Sequence, residues 1–159
     1  MNATDILKYG NATFHGSLKD FPEASWNTPG ACGYWSVRDI VAHLASYEQL
    51  LVEVLTGFLG GGPTPYLDKM KADYNGFNDE EVEARKSLSV ADTLAEYDAC
   101  YAKVSGLITQ IPVETLRQVG TLPWYGAEYS LDDYLVYAFY GHKREHSAQV
   151  MAFRDTLKR

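Results

Sequence analysis

Apolar side chains recur at helical spacing along four stretches of this chain. Val90, Leu94, Tyr97, Tyr101, Val104, Ile108 and Ile111 follow one another at steps of 4, 3, 4, 3, 4 and 3, which lays them along one face of a helix. Val37, Ile40, Leu44, Tyr47, Leu51, Val54 and Phe58 form an equally regular stripe. A weaker one, Leu7, Phe14, Leu18 and Phe21, has the small or polar Gly10 and Asn11 between its members. The fourth run, Leu131, Leu135, Ala138, His142, Gln149 and Phe153, departs from apolarity in its middle.

Punctuation supports these boundaries. Ser36-Val-Arg-Asp39, Ser89-Val-Ala-Asp92 and Ser130-Leu-Asp-Asp133 each open a periodic run. The hydroxyl accepts an unpaired backbone N–H, and the acid favours the positive end of the helix. Gly60-Gly61-Gly62-Pro63 stops the second helix and Pro112 follows the third. The connection from Pro63 to Leu88 is mostly polar, with a short helix expected over Asp79 to Lys86. Gly120 to Gly126 reads as an ordered, aromatic-rich loop, and no stretch shows strand alternation. The pattern predicts an all-α fold, a four-helix bundle with loops grouped at its ends.

A length of 159 residues corresponds to one domain, 1–159. A chain of this size buries roughly 68–70% of its unfolded surface and needs no disulfide staple. Fourteen basic against 21 acidic residues give a net charge of −7, which argues against nucleic acid or an anionic membrane as partner. Cys32 and Cys100 form no metal-type or redox-type cluster, a usage that fits a reducing cytoplasm. The first residues lack the basic start and apolar core of a signal peptide. Glu53, Thr56 and Gly57 interrupt the longest apolar stretch, so no segment is expected to span a bilayer.

The chemistry lies in the histidines. His142 and His146 stand one turn apart on one helix face, a spacing that lets both imidazoles reach one divalent ion at roughly 2.0–2.1 Å. His43 flanks the apolar stripe of the second helix. Together they offer a three-nitrogen face that leaves positions for water or substrate. Singly, His43 also fits a hydrogen-bonded core histidine, and a His-x-x-x-His pair is a weak signal. His15 has no partner at helical spacing and is read as structural. Glu145 is a candidate general base, though it is expected to face solvent beside Lys143 and Arg144. Glu48 resembles a di-iron ligand in type only, since the Glu-x-x-His pairs of such bundles are missing. Trp35, Tyr47, Trp124 and Gln149 are candidate pocket residues, with Tyr125, Tyr137 and Tyr140 as further aromatics; core packing is the competing use for any aromatic.

The run Trp35-Ser36-Val37-Arg38-Asp39-Ile40-Val41-Ala42-His43-Leu44, followed by Gly141-His142-Lys143-Arg144-Glu145-His146-Ser147-Ala148-Gln149-Val150, resembles the DinB-like superfamily. That resemblance implies an up-up-down-down four-helix bundle, often a homodimer, holding nickel or zinc on His43, His142 and His146. Family members include mycothiol-dependent maleylpyruvate isomerases and bacillithiol transferases, so a low-molecular-weight thiol is an implied cofactor. Trp35 to Asp39 and Leu122 to Gly126 also look like a neighbouring group that confers resistance to the genotoxin colibactin. Two functions follow as expectations. One is a metal-dependent transferase, isomerase or hydrolase acting on a small molecule. The other is a binding or sequestration protein without turnover. Tyr134, Tyr137 and Tyr140, lying beyond one narrow stripe, are the side chains expected to serve a homodimer.

Overall fold

Helices account for the regular structure of this protein, whose computed structural model describes residues 2–158. No strand occurs among the described residues; one isolated bridge joins Cys32 and Trp35. Helix α1 (Ala3–Leu18) starts where Asn2 accepts the Asp5 N–H at 2.9 Å. Helix α2 (Val37–Phe58) starts at a reciprocal Ser36–Asp39 cap. Two shorter helices follow, α3 (Pro65–Ala72) and α4 (Tyr74–Ala84). Then come α5 (Val90–Ile108), capped by Ser89, and the brief α6 (Val113–Arg117).

The connection between α2 and α5 is more helical than its sequence pattern indicates. The helix expected over Asp79 to Lys86 begins five residues earlier, at Tyr74, and ends at Ala84. Its start is fixed by Asp73, which accepts the Gly76 N–H at 2.9 Å. Its inward face includes the charged Glu81, paired with Arg85 at 2.7 Å, and Arg85 reaches Glu96 on α5 at 2.7 Å. Charged pairs thus stand where periodicity needs apolar residues. For α3 the signal lies in another helix: buried Glu53 of α2 accepts the N–H groups of Tyr66 and Leu67 at 3.2 and 2.9 Å. Its carboxylate satisfies donors that a helix N-terminus leaves unpaired. Arg38 ties the far end down, donating to the carbonyls of Arg85, Lys86 and Leu88.

The fourth run is not one regular helix. A short α7 (Leu131–Leu135), opened by a Ser130–Asp133 capping box, passes into a π-helical segment over Val136–Gly141 and then into α8 (His142–Thr156). Leu131, Leu135, Phe139, Lys143 and Ser147 are all buried. On a regular α-helix each four-residue step drifts by about 40°, so this series would wind about 160° around the axis. The wider π turn takes up that drift and keeps them facing inward. Ala138, expected on the inward stripe, is half-buried, and Phe139 is the buried neighbour.

Packing arranges two apolar clusters along α2. One gathers Leu50, Leu51, Val54 and Leu55 with Val104, Ile108, Leu131, Leu135 and Phe139. The other gathers Val37, Ile40 and Leu44 with Phe14, Tyr97 and Val150. Each fully buried side chain of this kind contributes roughly 1.5–3 kcal/mol by removal from water. Gly10 lets α1 approach the π segment closely. A Cβ there would already touch Tyr140 Cα at 3.4 Å, so a longer side chain would part the two helices.

Candidate functional site

Between the two apolar clusters, α2 and α8 bring three imidazoles together. His43 Nε2 lies 2.9 Å from His142 Nε2, and His146 Nε2 lies 2.9 Å from the same atom. One ring nitrogen from each of the three falls within 4.8 Å of the others. The outward nitrogens explain why these atoms converge. His146 Nδ1 meets Gln149 Oε1 at 2.8 Å, and the Ala138 backbone carbonyl favours a proton on the His142 ring. A neutral imidazole carries one N–H. With the His146 proton directed outward onto Gln149, its Nε2 lone pair faces His142 Nε2 across 2.9 Å.

Electrostatics keep the rings neutral. Burial, then the repulsion that protonating it beside His142 and His146 would meet, holds His43 down to about 2. Burial and the neighbouring His146 hold His142 down to about 3, against the Ala138 hydrogen bond. Burial lowers His146 as well, opposed by Gln149 and Glu145. Neutral imidazole is the form that binds metal, and outward Nδ1–H bonds are the usual means of aiming Nε2 at an ion. The donor set therefore suits a divalent metal.

A cavity of about 570 Å³ opens over the cluster. Trp35, Tyr47, Trp124 and Gln149 all line it. Trp35 lies against His43 with ring centres 4.8 Å apart, and Tyr47 packs edge-on to both His43 and His142 at 4.8 Å. The Tyr47 hydroxyl, pushed up by burial, donates to Asn78 Oδ1 at 3.2 Å. The Trp-Ser-Val-Arg-Asp run thus divides its work: Trp35 walls the cavity, Ser36 and Asp39 cap α2, and Arg38 holds the long connection.

The DinB superfamily profile matches residues 7–150. The chain belongs to the DinB superfamily. No curated protein and no solved structure matches it. The family match spans all three clustered histidines and every aromatic lining residue.

Other side chains of this DinB protein fall where spacing alone does not place them. Lys143, expected in solvent beside Glu145, is buried and meets Glu48 at 2.5 Å, because the π turn rotates it inward. Its Nζ lies over the rings of Tyr97 and Tyr101, at 5.5 and 5.2 Å. Tyr134, expected to serve an association surface, is 3% exposed and packs on Trp124 and Tyr125. Tyr125 and Tyr137 line the cavity; Tyr140 does not, and lies instead against Arg144 and Gly10. Glu145 is exposed but borders the cavity, outside the converging nitrogens. His15 pairs with Asp98 at 2.8 Å, away from the cluster.

Sequence reasoning passed over several lining residues, Met70, Tyr74 and Asn78 among them, and Cys32 is the one of these with a thiol. The tight turn at Gly33, with φ of 58°, folds Cys32 back onto Trp35 and sets it, with Gln149, in the cavity lining. Burial, then the charge of Glu145, pushes that thiol up, against the Gln149 hydrogen bond. The Gly33 turn two residues before Trp35 was the available signal.

Proposed function

We propose that this DinB protein is a metal-dependent enzyme acting on a small molecule, with His43, His142 and His146 holding a divalent nickel or zinc ion. The supporting observation is the convergence of three Nε2 atoms on buried imidazoles, with the His146 ring aimed by its outward bond to Gln149. When bound, such an ion supplies Lewis acidity and lowers the pKa of water or of a thiol that reaches it. Gln149 and the Ala138 carbonyl hold the rings of His146 and His142. Trp35, Tyr47 and Trp124 bound the space beside them and exclude water from the apolar part of a ligand. Glu145 stands at the cavity edge, where a carboxylate can take up a proton.

The finer features belong to the same proposal: an up-up-down-down bundle, a homodimer, a cytoplasmic setting and a low-molecular-weight thiol as co-substrate. No helix among the described residues is long and apolar enough to cross a membrane, and both cysteines are unpaired. Thiol use gives transfer or isomerisation, and water alone gives hydrolysis. A second reading, capture of a small molecule without turnover, is favoured by the aromatic walls and by the placement of Glu145 outside the histidine group. Metal analysis of the purified protein, combined with turnover assays with and without added thiol, separates the two. An enzyme loses turnover together with metal, whereas a sequestering protein binds its ligand tightly when metal-free.

A further inference from the structure

The cavity over the histidines has walls of one chemical kind. Seven of its seventeen lining residues are Trp or Tyr, and among the described residues none is Lys or Arg. Glu145 is its one acidic lining residue. The aromatic wall is interlocked: Trp124 meets Tyr134 edge-on at 5.3 Å, and Tyr134 packs on Tyr125 at 4.7 Å and on Phe139 at 5.2 Å. Such packing fixes the ring positions before any ligand arrives.

Charge on the two parts of the cavity is unequal. The histidine face offers only neutral donors, so a divalent ion held there keeps its full charge and is best balanced by an anionic donor from the ligand. Elsewhere a second negative charge meets aromatic rings and Glu145, with no cation to offset its desolvation. At about 570 Å³ the space lies within the range that encloses a whole small molecule.

We infer that this cavity selects a small molecule in which one anionic donor group is carried on a planar, unsaturated and otherwise uncharged body. The inference rests on the three-histidine reading for the donor group, and on Trp124, Tyr125 and Tyr134 for the body. Polyanions such as nucleotides and sugar phosphates are rejected by the missing cations. Small aliphatic ligands with the same donor bind more weakly because they bury less apolar surface, and saturated ligands of equal size because they cannot stack on or meet the rings edge-on.

Calorimetric titration of the full-length, zinc-loaded protein with three hydroxamates provides the test. Benzohydroxamate and acetohydroxamate share a donor group and differ by the ring, and 3-sulfobenzohydroxamate adds a second anion to that ring. The expected result is benzohydroxamate binding at least tenfold more tightly than either of the others. Trp124→Ala and Tyr125→Ala should each reduce the benzo-to-aceto ratio at least threefold while leaving acetohydroxamate unchanged. Equal affinities for the first two, or tight binding of the sulfonate, overturns the inference. If zinc does not bind, the metal reading fails on its own. The body preference is then read from indole on the metal-free protein: binding weakened by Trp124→Ala supports it, and no binding overturns it.

Discussion

His142 and Lys143 are adjacent in sequence, yet they serve two polar centres of opposite design. Lys143 points into a dry interior, where it meets Glu48 at 2.5 Å, both side chains being no more than 2% exposed. Neither group has another polar partner, and the ammonium is covered by the rings of Tyr97 and Tyr101. His142 points into a cavity and joins two further neutral rings. The first centre is closed, because each charge is cancelled by its partner. The second is open, because its lone pairs converge with no positive charge among them. Burial alone therefore does not identify a functional group. Buried charge that is already paired builds structure, and buried donors left pointing at one another suit a ligand.

The largest expected effect comes from breaking the closed centre on one side. Lys143→Met leaves the Glu48 carboxylate buried without compensation and should cost about 3–5 kcal/mol, read as a lower urea midpoint. Glu48→Leu combined with Lys143→Met should recover most of that loss, since paired removal of a buried ion pair is often neutral. A double variant as unstable as the single one would show that the pair does more than neutralise itself.

Per side chain, a smaller effect separates the two centres by pH. In metal-free protein the folded-state values of the three histidines lie below the ordinary 6.5. The unfolded chain therefore binds protons first as pH falls. Stability from this source is complete above about pH 6.5 and declines on acidification towards the folded values near 3 and 2. The slope approaches about 1.4 kcal/mol per pH unit for each ring. Urea unfolding at pH 7 and pH 5 should show it, His43→Ala should lessen it, and saturating zinc should oppose the loss while it stays bound. An unchanged slope in His43→Ala would break the contrast drawn between the centres.

The smallest effect concerns the aiming of one ring. Gln149→Ala removes the acceptor for His146 Nδ1 and should weaken zinc binding roughly 10–100-fold, with little change in the urea midpoint. Competition with a chromogenic chelator measures it.

These contrasts also mark what was readable from residues alone. The starts of α2, α5 and α7 were legible because a Ser-x-x-Asp signal acts within one turn. The i, i+4 spacing of His142 and His146, and the position of His43 beside an apolar stripe, sufficed to suggest the cluster. Helix α3 was not legible, since the carboxylate at its N-terminus comes from Glu53 on another helix. Nor was Lys143, because a regular 3.6-residue period carries no sign of the π turn over Val136–Gly141 that rotates it inward. Tyr134 and Cys32 were misread or overlooked for a related reason. Their surroundings are set by long-range packing and by the turn at Gly33, not by periodicity.

Zinc titration by calorimetry, run side by side on the unaltered protein and on His43→Ala, His142→Ala, His146→Ala and His15→Ala, tests the central claim most directly. One ion per chain should bind to the unaltered protein and to His15→Ala with the same affinity. Each of the other three substitutions should weaken binding by roughly 100-fold or more, while far-UV circular dichroism without metal remains that of a folded helical protein. Zinc binding to His43→Ala at unaltered affinity would contradict the three-histidine assignment.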